Sequence, residues 1–91
     1  MNESNLNQGI ERTAAILRAL ARGDRAGSRL TDIAAVTGLS KSTAHRLLNG
    51  LMHVGFVEQD DATGHFHLGF DLFVIGAAAA NRYGVVEIAR P

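Results

Sequence analysis

Thr37-Gly38-Leu39-Ser40-Lys41-Ser42-Thr43-Ala44-His45-Arg46-Leu47-Leu48 is the most informative stretch of the chain. Gly38 can take positive φ and so stop a helix, Leu39 follows as an apolar anchor, and Ser40 is a good N-cap for a new helix. The helix it opens is expected to span about Lys41 to Val54. Ala44, Leu47, Leu48, Leu51 and Met52 form its inward stripe, at offsets 0, 3, 4, 7 and 8. Ser42, His45, Arg46, Asn49 and His53 line the other face. That face mixes a hydroxyl, an arginine, an amide and imidazoles without one carboxylate, whereas ordinary solvated faces carry Glu and Lys of both signs.

Upstream, Leu30 to Thr37 reads as a shorter helix with Leu30, Ile33 and Ala34 inward. Ser28 and Thr31 are both candidates for its N-cap, and Asp32 suits the positive end of its dipole. Before it, Gly23 and the polar stretch Asp24 to Ser28 form a loop. Gly9 to Arg22 is predicted to be an amphipathic first helix with Ile10, Ala14, Leu17, Leu20 and Ala21 on its apolar stripe. Glu11, Arg18 and Arg22 oppose that stripe, while Ile16, Ala15 and Ala19 widen the apolar surface beyond it. Residues 1–8 are polar and read as a flexible arm.

Downstream of Gly55 the period changes from helical to alternating. Phe56 to Gln59 and His65 to Leu68 are predicted strands, joined by the turn chemistry of Asp60-Asp61-Ala62-Thr63-Gly64. In the second strand Phe66 and Leu68 share one face, and His65 and His67 the other. Phe70 to Arg82 reads as a last helix, apolar or small almost all round, which cannot face water on every side.

The bulk numbers set outer limits. With 91 residues the chain holds one domain, and 46% hydrophobic with 20% charged residues is a folded composition. The absence of cysteine excludes disulfides, thiolate metal sites and a cysteine nucleophile. Phe70 to Ala80 is too short to span a bilayer, and the polar start carries no signal peptide, so an intracellular, cytoplasmic protein is expected. Nine basic and nine acidic residues cancel, but unevenly. Up to Gly55 seven basic residues face four acidic ones, a surplus of three; from Phe56 on, two face five, a deficit of three. A basic front half suits a polyanion. One lysine against eight arginines, with abundant Ala and Gly, hints at a GC-rich genome.

Helix, helix, tight turn, longer helix and hairpin is the order of a winged helix-turn-helix. The expected fold is mainly α with a small β-hairpin, a winged helix-turn-helix followed by a linker helix. Packing the second helix across the third leaves the N-terminal half of the third projecting, ready for a major groove that admits one α-helix. Its leading N–H groups favour a phosphate near Ser40 to Ser42. Arg46 has the fork that takes guanine O6 and N7 together, and Ser42, Thr43, His45 and Asn49 can meet base edges or phosphates. Lys41, Arg29 and Arg12 are better placed for phosphates, and His65 and His67 would stand on the wing.

Several blocks, in order, resemble the DNA-binding domain of IclR-family bacterial transcription regulators. They are Gly9-Ile10-Glu11-Arg12 with Ile16-Leu17, Asp32-Ile33-Ala34, Gly38 through Leu48, Gly55-Phe56-Val57 and Leu68-Gly69. The resemblance implies a homodimer on a near-palindromic double-stranded DNA operator, with the first helix and the linker helix building the dimer. Ile16, Leu72, Phe73 and Ile75 are the expected interface residues. It also implies that 9–69 is the DNA-binding unit and that 70–91 is a linker helix and the start of an effector-binding domain, opening with Val86-Glu87-Ile88-Ala89-Arg90-Pro91. A small-molecule effector would act only through that further domain. Arg29 departs from the family, whose members often place a small hydroxyl residue there.

The rival readings are a winged helix used as a protein–protein module, another winged-helix regulator of MarR or GntR type, and an enzyme. The acid-free outer face argues against the first. Against the last stand the absence of GxGxxG and P-loop motifs, scattered carboxylates and a core too small for a pocket. No cofactor is expected. His65 and His67 make at most half a metal site, and two imidazoles without a third ligand read as plain surface.

Overall fold

A computed structural model describes residues 3–84, with side chains from Leu6 onward. Four helices and one hairpin follow one another: α1 (Glu3–Ala21), α2 (Leu30–Thr37), α3 (Lys41–His53), β1 (Val57–Gln59), β2 (Phe66–Leu68) and α4 (Phe70–Tyr83). The strands pair antiparallel with Val57 opposite Leu68, Glu58 opposite His67 and Gln59 opposite Phe66. The loop before α2 adds an isolated antiparallel bridge to β2, Ser28 exchanging both backbone hydrogen bonds with Phe66.

The core sits where α1, α2, α3 and the hairpin converge: Ile16, Leu20, Ile33, Leu48, Leu51, Val57 and Phe66 form one buried cluster. Leu17, Leu30, Leu39, Leu47, Met52 and Phe56 pack around it, half-buried. Each large apolar side chain fully withdrawn from water contributes about 1.5–3 kcal/mol. The inner stripe of α3 is the predicted one, with Ala44 and Leu48 at 0% exposure.

The first helix departs from the expectation twice. It starts at Glu3, so residues 3–8 are helical rather than a flexible arm. Its inward face is also rotated from the expected stripe, keeping Leu20 and, at the edge, Leu17 but taking in Ile16. Ile16 is fully buried with Leu20, while Ile10 is 60% exposed. Ile16 therefore has no surface left for a second subunit, contrary to its expected place at a dimer interface. The physical reason is that α1 is apolar on two sides. Periodicity finds both stripes but does not tell which meets α2 and α3. The other side, exposed Leu6 and Ile10 with half-buried Ala14 and Leu17, forms an open apolar groove with Leu47 of α3.

Helix α4 buries none of its residues. Phe70, Phe73, Val74, Ile75 and Tyr83 are all at least half exposed, and Leu72 is half-buried. Among the described residues, the hydrogen bonds that tie it to the rest lie at its start. Phe70 N–H donates to the Glu58 carboxylate at 2.9 Å, Gly69 N–H to the Phe56 carbonyl and Asp71 N–H to the Gly55 carbonyl. The Val86–Pro91 segment, expected to open a further domain, lies outside the described residues.

Candidate nucleic-acid interface

The turn between α2 and α3 positions the site. Gly38 ends α2 at φ 74°, with its N–H on the Ala34 carbonyl, and Leu39 N–H reaches the same carbonyl at 3.2 Å. Thr37 closes the last turn from the side, its hydroxyl donating to the Ile33 carbonyl at 2.7 Å. Leu39 then plugs into the core edge. Ser40 caps α3 as its residue type predicts: its oxygen accepts the Thr43 N–H at 3.1 Å, and its hydroxyl donates to Thr43 Oγ1 at 3.0 Å. Ser40 and Thr43 are thus engaged with each other in holding the turn, which leaves their hydroxyls less free for DNA than those of their neighbours.

With α2 packed across the inner stripe, the outer face of α3 is open. Lys41, Ser42, His45, Arg46 and Asn49 are all exposed, as is His53 one turn further on. Asn49 Nδ2 lies 3.5 Å from His45 Nδ1 across one helical turn, a loose pairing that aligns two of the candidate readers beside Arg46. The first turn of α3 holds no acidic residue, so its N-terminal dipole and Lys41 add to the same positive field. One member of this face has no side chain. Gly50 stands four residues after Arg46, exposed and in the helix interior, where glycine costs about 1 kcal/mol relative to alanine.

The remaining expected contacts are placed differently. Arg29 is exposed and occupies the N-cap of α2, where its side chain makes no capping bond. Neither Ser28 nor Thr31 caps that helix; Ser28 is committed through its backbone to Phe66. An uncapped α2 start leaves Arg29 as its outward charge. Arg12 sits one turn before Ile16 and is half-buried, so part of this long side chain is withdrawn from water.

The two histidines stand on the wing, but not at its exposed edge. Both are half-buried and turned back onto the body. His65 Nδ1–H donates to the Ala26 carbonyl at 2.9 Å. His67 lies so close to Gly27 that an added Cβ there would stand 2.7 Å from its ring. These rings pin the hairpin to the loop before α2. Exposed at the tip are Asp60, Asp61, Ala62 and Thr63, a turn knotted by the Asp60 carboxylate, which accepts from Ala62 N–H at 2.7 Å and Thr63 N–H at 3.1 Å. Those two amides, with weaker help from His67 and His65, hold the Asp60 carboxyl below its ordinary range. The period-2 reading placed both imidazoles on one face correctly but carried no information on the loop that covers it. Sequence reasoning also missed Glu58, whose cap on α4 spans twelve residues and has no local signature.

No group of three or more metal-ligating side chains occurs among the described residues. No described helix is long and apolar enough to cross a membrane.

A capped helix carried on a crossing helix by a tight glycine turn, with a hairpin behind it, defines a helix-turn-helix DNA-binding protein. A family model described as the IclR helix-turn-helix domain matches residues 9–61, and the chain belongs to that family. It is 52% identical over 69 residues to the glycerol operon regulatory protein of Streptomyces coelicolor, covering 76% of this chain and 27% of that protein. It is 37% identical over 84 residues to the transcriptional repressor AllR of Escherichia coli K12, covering 92% of this chain and 31% of AllR. Among solved structures, HmgR of Pseudomonas aeruginosa superposes with a TM-score of 0.75 at 34% identity, over 81% of this chain and 30% of that one. An IclR regulator from Alicyclobacillus acidocaldarius gives 0.74 at 34% identity, over 80% and 29%. The chain spans about a third or less of the length of the relatives it matches.

Proposed function

We propose that this IclR-type domain binds a near-palindromic operator as a homodimer, each α3 entering one of two successive major grooves. The observation that carries the reading is the outer face of α3. Five donors or acceptors from Lys41 to Asn49 stand exposed there without a carboxylate among them. Arg46 takes a guanine edge with both arms of its guanidinium, while Ser42, His45 and Asn49 read or brace neighbouring bases. Lys41, Arg29 and Arg12 meet phosphates. Ser40 and Thr43 act mainly by fixing the angle at which α3 leaves the turn.

Exposed Phe73 and Ile75 with half-buried Leu72 of α4 supply the dimer contact, together with the groove of Leu6, Ile10 and Leu17 in place of Ile16. The protein acts as a non-enzymatic transcription regulator in the cytoplasm, as the names of its relatives suggest. A small-molecule effector would act through the portion of those longer relatives that this chain does not span.

Gel-shift titration on the DNA upstream of the gene encoding the chain tests the reading. Arg46→Ala should cost about 1–3 kcal/mol of binding and relax preference at one base position. Affinity should fall with salt at a log–log slope near −0.9 per phosphate neutralised. An Arg46→Ala protein that binds like the parent overturns the assignment.

A further inference from the structure

We infer that Gly50 is the place where the DNA sugar–phosphate backbone closes on α3, and that its missing side chain is a requirement of the bound complex rather than of the fold. The inference rests on α3 being the DNA-reading helix.

Seven of the ten glycines have a reason within the chain: five adopt positive φ, and Gly23 and Gly69 press against neighbouring atoms. Gly9 of α1, Gly50 of α3 and Gly76 of α4 have neither reason, and of these Gly50 alone stands on the helix that reads DNA. Gly50 lies within the helical span of α3, and a Cβ built on it meets nothing within 4 Å among the described residues. Its carbonyl accepts the Val54 N–H at 3.3 Å, a bond any residue would make. An alanine there would favour the folded chain roughly five-fold. Nothing within the described residues calls for a glycine at this position, and the reading helix is where a bound partner would.

The position of Gly50 says what that partner is. Four residues beyond Arg46, Gly50 stands about 6 Å further along the axis and about 40° around it, on the flank of the reading face. A helix with its side chains is about 10–12 Å across, and the major groove is about 12 Å wide, so a helix inside it has almost no lateral slack. Arg46 points at the groove floor, and a flank position one turn later meets the wall, which is sugar and phosphate. Removing the side chain at that flank narrows the helix where the wall comes closest. Backbone walls are alike for every sequence, so Gly50 governs how deeply α3 seats and not which bases it reads.

The test compares Gly50→Ala, Gly50→Leu and Arg46→Ala in this chain, by thermal unfolding and by gel shift. Two duplexes of equal length serve as probes: the DNA upstream of the gene encoding the chain, and a scrambled sequence. Gly50→Ala is expected to raise Tm by a few degrees and to weaken binding to both duplexes by roughly tenfold, leaving their affinity ratio unchanged. Gly50→Leu should weaken both further. Binding by Gly50→Ala within twofold of the parent, with Arg46→Ala impaired, overturns the inference and leaves the α3 reading standing. A loss confined to the upstream duplex also overturns it, because Gly50 then faces bases. If Arg46→Ala and Gly50→Ala both bind like the parent, the α3 reading itself falls.

Discussion

Helices α3 and α4 are nearly equal in length, thirteen and fourteen residues, and they solve opposite problems. α3 hides Ala44, Leu48 and Leu51 completely or nearly so and turns a polar face outward. α4 hides nothing, leaving Phe70 and Phe73 two-thirds exposed, their rings tilted against each other at 6.1 Å. The first helix is complete within one chain. The second is apolar surface in search of a neighbour, hydrogen-bonded to the rest at its start, where Glu58 caps it and Gly55 and Phe56 accept from its first amides. Together they separate what makes the domain fold from what makes it assemble.

That contrast can be broken at its strongest point first. Leu48 is fully buried at the centre of the core, so Leu48→Ala should lower unfolding free energy by about 2–5 kcal/mol in a denaturant titration. Ser40→Ala removes the cap on α3 and should cost about 1 kcal/mol by the same measurement. Its effect on DNA affinity should exceed that figure if the turn also sets the angle of α3. Phe73→Ser should change monomer stability by less than about 0.5 kcal/mol, while sedimentation shows weaker self-association. A loss of stability there comparable to Leu48→Ala would mean that α4 is part of the single-chain core, and the contrast would disappear.

The mildest effect is expected at the wing. The Asp60 carboxyl is held below its ordinary range in the folded turn, chiefly by the Thr63 and Ala62 amides. Its contribution is therefore present above the unfolded carboxyl value and is lost as pH falls through the lower folded one. Protection of the Ala62 and Thr63 amides, taken relative to their intrinsic exchange rates at each pH, should fall on acidification through that range. In Asp60→Asn the same amides should show no such dependence.

The wing also shows why phosphate contacts are hard to assign from residue type. His65 and His67 read as surface residues of the wing in the sequence. In the fold one imidazole is spent on the Ala26 carbonyl and the other lies against Gly27, and the exposed tip is acidic. Arg12 is similarly half-buried. By contrast, Arg46 and its neighbours keep the position the sequence assigns them, since a residue opposite a strongly apolar stripe has nowhere else to go.

Sequence alone determined the elements that rest on short-range forces: the Gly38 stop, the Ser40 cap, the inner stripe of α3 and the Asp60–Gly64 turn. Each depends on atoms within about one helical turn, so residue order suffices to specify it. Tertiary structure decided which of the two apolar faces of α1 became core, where the wing imidazoles were spent, and that Glu58 caps α4. Those outcomes depend on partners brought close only by the folding of the whole chain, and burial against those partners, not local preference, settles them.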